Sequence, residues 1–97
     1  MRPAIKQCVL AHLRSNEDKD KFPRLLPRGT IIAHKDGSVS DARTDAGLIY
    51  TPNGIIVVCV LTDQNRDHRW VSENEGNALC AKVAKEVYDH FNPPSSK

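Results

Sequence analysis

Asp45-Ala46-Gly47-Leu48-Ile49-Tyr50-Thr51-Pro52-Asn53-Gly54-Ile55-Ile56-Val57-Val58-Cys59-Val60-Leu61 is the stretch that decides the fold. Thr51-Pro52-Asn53-Gly54 is a turn: proline pre-sets the backbone angle at its second position, and Asn and Gly tolerate the remaining turn angles. The flanks, about 45–50 and 55–62, read as strands, and a turn this short makes them pair antiparallel. Ile55 to Leu61 shows no polar alternation, which predicts a strand buried on both faces. Upstream, Ile31 and Ile32 are β-branched and open a further strand over about 30–35. Pro23, Pro27 and Gly29 break any regular element before it.

Helices flank this sheet. Ile5, Cys8, Val9 and Leu13 recur at three- and four-residue spacing and predict a helix over 3–15, with Pro3 in its first turn. The charged run Ser15 to Lys21 reads as a solvated loop, and Asp63 to Arg69 as a polar, mobile one. From about Val71 to Phe91 the pattern is helical again, with Leu79, Val83, Val87 and Phe91 four residues apart. Ser72 and Glu75 have capping-box spacing at its start. Asn92-Pro93-Pro94 stops it, and the tail beyond is expected to fray. Trp70 is expected to anchor this helix by packing. The fold class is therefore α+β, a three-stranded antiparallel sheet with an N-terminal and a longer C-terminal helix, in a single unit, 1–97.

Bulk properties narrow the function. The 97 residues suit one thin core with a net stability of ~5–10 kcal/mol. Apolar residues make up 39% and charged residues 27%, the balance of a globular chain. The longest apolar run is far too short to span a membrane. Fourteen basic and twelve acidic residues are interspersed and leave a net charge of +2, so no basic stripe marks a nucleic-acid partner. Cys8, Cys59 and Cys80 are widely separated, without zinc-ligand spacing, and read as buried free thiols. No metal or other cofactor is expected. His12, His68 and His90 are scattered and read as surface residues. No signal peptide precedes the first helix, and localisation is not legible from this chain.

The chemistry-bearing stretch is Leu25-Leu26-Pro27-Arg28-Gly29-Thr30-Ile31-Ile32-Ala33-His34-Lys35-Asp36-Gly37-Ser38, followed by Arg43-Thr44-Asp45-Ala46-Gly47. It resembles the region of class A β-lactamases and related penicillin-recognising serine hydrolases that carries the Lys-Thr-Gly signature. In that family, a Leu-Pro and Gly-Thr approach leads into a strand ending His-Lys-Thr-Gly-Ser, and the next strand opens Asn-Asp-Ala-Gly. The resemblance extends from the first helix to Phe91. It implies that this chain is a C-terminal segment of such a hydrolase, whose parent is periplasmic or secreted and acts on a β-lactam-like substrate.

The same resemblance implies the site. Lys35 would line the pocket, facing the nucleophile and the substrate carboxylate. The backbone N–H of Ser38 would be one oxyanion-hole donor. Asp36, Gly37 and the Ser38 hydroxyl would border the substrate, and Arg43 is a further candidate for its carboxylate. Asp36 stands where the family has Thr or Ser, and its carboxylate would repel an anionic β-lactam and pair with Lys35. Thr44 replaces Asn. His34 should face away from Lys35, and Asp45 should hydrogen-bond structurally. No Ser-x-x-Lys nucleophile motif is present, since Ser15, Ser38, Ser40 and Ser72 are followed three places on by Asp18, Asp41, Arg43 and Glu75. The chain alone is therefore expected to be inactive. The alternative is a non-catalytic small domain that self-associates or binds a partner, as a homo-oligomer through strand 55–61.

Overall fold

The computed structural model of the chain describes residues 2–93. Helix α1 spans Pro3–Arg14, followed by a single 3₁₀ turn over Phe22–Leu25. Strands β1 (Ile31–Val39), β2 (Ala42–Thr51) and β3 (Gly54–Thr62) then form an antiparallel sheet in the order β1-β2-β3, and helix α2 spans Glu75–Phe91. The fold class is the α+β arrangement read from the sequence. The expected frayed tail lies at 94–97, outside the described residues.

The hairpin forms where the turn chemistry places it, and Gly54 takes a φ of +128°, which disfavours any other residue. Its register lines up Ile32, Ile49 and Ile56 across the three strands, then His34, Gly47 and Val58. These triplets share one face. Ile32, Ile49, Ile56 and Val58 join Phe22 and Leu26 from the 3₁₀ segment and Cys80 and Ala84 from α2 in one buried core. The short side chains of Cys80, Ala81 and Ala84 let α2 lie close to the sheet. At Gly47 the strands are closer still. A Cβ there would stand 2.6 Å from the His34 Cα and against the Ala33 carbonyl oxygen.

β3 is not covered on both sides. Val57 and Leu61, on its other face, are 77% and 75% exposed, and Ile55 is exposed as well. The cause is the number of layers: α2 packs on one face, while α1 lies against β1. A continuous apolar run reports two apolar faces, not two covers. The thiols divide accordingly. Cys80 is buried as expected, whereas Cys8 on α1 and Cys59 on β3 are exposed, contrary to the expectation that they too would be buried.

α2 opens later than its capping-box reading suggests. Asn74 is the N-cap, its side chain accepting from the N–H groups of Gly76 and Asn77 at 2.8 and 3.3 Å. The face turned inward is that of Asn77, Cys80, Ala81 and Ala84, while Leu79 and Phe91 are exposed. Trp70 does not anchor the helix. It is two-thirds exposed and lies under the Arg43 guanidinium, 4.4 Å from its ring centre. The 63–69 loop is tied down through Asp67, which accepts from the backbone and side chain of Arg69 and from Glu75 N–H. The Arg69 hydrogen bonds hold the Asp67 carboxyl well below the usual carboxylate range.

Candidate active site

β1 is an edge strand, and the segment between α1 and the 3₁₀ turn crosses its outer margin. Asn16 Nδ2 donates to the His34 carbonyl at 3.2 Å and to the Asp36 carboxylate at 2.9 Å. Two residues later, Asp18 N–H donates to Asn16 Oδ1, and Asp20 N–H to Asp18 Oδ1, so successive short turns carry the chain along the strand. The run ends on Lys21, 1% exposed, whose ammonium donates to the Gly37 carbonyl and to Ser38 Oγ, both at 2.8 Å. Asn16 takes the outward-pointing carbonyl of His34, and alternation places the backbone groups of Asp36 and Ser38 on the same margin.

Lys35 projects to the other side of the strand from His34. Its side chain is 77% exposed and its ammonium donates to the Asp36 carbonyl at 2.6 Å. Asp36 lies between the two lysines, 3.7 Å from Lys21 Nζ and 4.0 Å from Lys35 Nζ. Partial burial works to raise its pKa, but hydrogen bonds from Asp18 and Asn16 and the Lys21 charge outweigh it and hold the carboxyl well below the usual range. Asp18 shifts the opposite way, pushed up by burial and by its hydrogen bond to Asp36. Gly37 is packed from within the sheet, since a Cβ there would meet Thr44 Oγ1 at 2.9 Å.

Arg43 stands across from Ser38 in the β1–β2 register but does not face the open margin. It is 1% exposed, and its guanidinium donates to the carbonyls of Val39, Ala42 and Arg69. Gly76 makes room for it: a Cβ there would stand 2.7 Å from Arg43 Cγ. Behind the site, His34 Nδ1 lies 2.8 Å from the Asp45 carboxylate, which also accepts from Phe22 N–H at 3.1 Å. His34 and Asp45 are thus packed structural groups, and the Phe22 ring stacks on His34.

The Lys35–Ser38 run and Arg43 therefore come together, with Arg43 lining a cleft beside Lys21 and Ser38 but its guanidinium bound to the carbonyls of Val39, Ala42 and Arg69, and sequence reasoning missed Lys21. Its charged surroundings gave no hint of burial. The one local signal is its position immediately before the buried Phe22. Among the described residues, no His, Cys, Asp and Glu cluster could hold a metal ion, and no helix is long and apolar enough to cross a membrane.

Solved structures share this fold. PBP-A is 26% identical, with a TM-score of 0.79 over 97% of this chain and 34% of its own. A class A β-lactamase from Bacteroides cellulosilyticus is also 26% identical, with a TM-score of 0.81 over 97% of this chain and 36% of its own. TLA-3 extended-spectrum β-lactamase, at 24% identity, shares the fold with a TM-score of 0.82 over 93% of this chain and 34% of its own. The chain thus spans about a third of the length of each. No curated protein matches it. The model of the β-lactamase enzyme family matches residues 2–91, from the first helix through the edge strand to the end of α2. On that extent of agreement in sequence and fold, the chain belongs to the β-lactamase enzyme family.

Proposed function

We propose that this chain is the C-terminal part of a serine β-lactamase-like hydrolase, supplying one wall of a pocket whose nucleophile lies in other polypeptide. The observation that carries this reading is the Lys35–Ser38 run on an edge strand within a chain matched by the family over residues 2–91. The reaction is acyl transfer through an acyl-enzyme. A PBP-A variant was solved as such a complex with penicillin G.

In this reading the exposed Lys35 ammonium supplies fixed positive charge beside the nucleophile. Ser38 N–H is one oxyanion donor, and removing such a donor costs about 2.7–4 kcal/mol of transition-state stabilisation. The Ser38 hydroxyl, held by Lys21, borders the substrate together with Asp36 and Gly37. Lys21, rather than Arg43, is the cation behind the substrate group, and Arg43 braces the Arg69–Trp70 segment instead.

The test is complementation. The purified chain alone is expected to show no nitrocefin turnover. Mixed with a polypeptide that carries the family's Ser-x-x-Lys region, it should form an acyl adduct detectable by mass and turn over nitrocefin, in the wild type or in Asp36→Thr. Lys35→Ala should lower that turnover at least about a hundredfold, the low end for a positioned electrostatic group. A stable complex that neither acylates nor turns over in either form overturns the proposal.

A second reading, self-association, draws on a separate observation: β3 has no partner on its outer margin among the described residues, and Val57 and Leu61 beside it are exposed. An apolar strand with unpaired backbone groups is a template for a second copy. Sedimentation should then show dimers at high micromolar concentration and monomers for Val57→Lys. A wild-type monomer throughout rules it out.

A further inference from the structure

We infer that Asp36 is a built-in counter-anion, and that this site takes acyl substrates uncharged beside the scissile bond in preference to those bearing a carboxylate. The inference rests on the hydrolase reading for the word substrate, but its electrostatic core stands on the geometry of this chain. Three groups suited to an anion converge on one carboxylate: the Lys21 ammonium at 3.7 Å, the Lys35 ammonium at 4.0 Å and the Asn16 amide at 2.9 Å. An incoming carboxylate at the Ser38 end of β1 would need those groups, and they already have a covalently tethered partner. Tethering matters because the internal carboxylate loses no association entropy, so a free anion competes from a weaker position.

The remaining charges point the same way. Asp18 accepts from Asp20 N–H in the turn that leads to Lys21, which sets a second carboxyl group beside the site. Asp20 and Asp18 line a cleft of about 160 Å³ shared with Lys21 and Ser38. The third cation there, Arg43, is turned to the carbonyls of Val39, Ala42 and Arg69. Arg43 makes no ion pair among the described residues, but its guanidinium is buried and held by those carbonyls, and Lys35 is left with an exposed ammonium at this end of the strand. A second carboxylate placed here would meet Asp36 and Asp20 at close range, and like-charge juxtaposition is how a site rejects a ligand. A neutral ester or amide group meets no such opposition and can still accept from the Ser38 hydroxyl and backbone N–H.

The decisive experiment needs no turnover. The isotope-labelled chain is titrated with sodium acetate, with acetamide as the neutral control, and the Lys21, Gly37 and Ser38 resonances are followed. The wild type should show no saturable response to acetate beyond that of a matched chloride titration. Asp36→Thr and the near-isosteric Asp36→Asn should each bind acetate at least about tenfold more tightly than the wild type. Adding Lys21→Met to either variant should remove the gain, and dispersed spectra confirm that each variant is folded. Equal acetate responses in the wild type and both Asp36 variants, or none in any of them, overturn the inference. In the complemented enzyme, turnover of a neutral ester over nitrocefin should fall at least about tenfold on Asp36→Thr, and an unchanged ratio overturns it. A complex without any turnover sinks the hydrolase reading alone and leaves the acetate result standing.

Discussion

Ile49, on one face of the sheet, is fully buried in the core with Cys80 and Ala84, while Val57 and Leu61 on the other face are at least three-quarters exposed. Both faces are written in the same branched aliphatic residues. What separates them is the presence of an opposing layer: α2 closes one side, and no described element closes the other over β3. Side-chain chemistry sets what a face can bury, and topology sets whether it does.

The contrast can be broken by mutation. Ile49→Ala should cost about 3 kcal/mol by urea unfolding, through lost transfer energy and the cavity left behind. Gly47→Ala should cost about 2 kcal/mol, since its new methyl meets β1 backbone that cannot give way. Asn74→Ala, which removes the cap that starts the covering helix, should cost about 1 kcal/mol. Val57→Ser on the bare face should stay within about 0.5 kcal/mol for the monomer. A loss there as large as at Ile49 would mean that the bare face is covered in solution.

The thiols sharpen the same contrast. Cys8 and Cys59 should react with a thiol reagent at once, and Cys80 only on unfolding. Burial pushes the Cys80 thiol up to about 11 from the ordinary 9.0. The folded state therefore holds the thiol proton more tightly than the unfolded one. That stability is complete below pH 9 and is lost as pH rises toward 11, by on the order of 2 kcal/mol. Urea midpoints at pH 8 and pH 10.5 should diverge more for the wild type than for Cys80→Ala.

Fold and site were legible to different depths. The hairpin was legible because Pro52, Asn53 and Gly54 constrain the backbone locally, and the Lys35–Ser38 strand because its residues are contiguous. The one-sided burial of β3 was not, because a run apolar on both faces carries no mark of which face is covered. The burial of Lys21 and Arg43 was equally hidden. Each cation is held by carbonyls brought together from distant strands and loops, Gly37 for Lys21 and Val39 and Arg69 for Arg43, and no short-range pattern announces such a partner. The departure at Asp36 was visible, but its partnership with Lys21 was not.

The sheet's two margins differ as its faces do. Asn16 caps the His34 carbonyl on the outer side of β1, and the loop that carries it lies along that strand, whereas β3 has no neighbour on its outer margin among the described residues. Endless strand addition needs an acceptor at both ends of the growing ribbon. Two copies meeting β3 to β3 would leave both loop-bordered β1 strands at the ends of the joint sheet, where the loop stands in the way of a further strand.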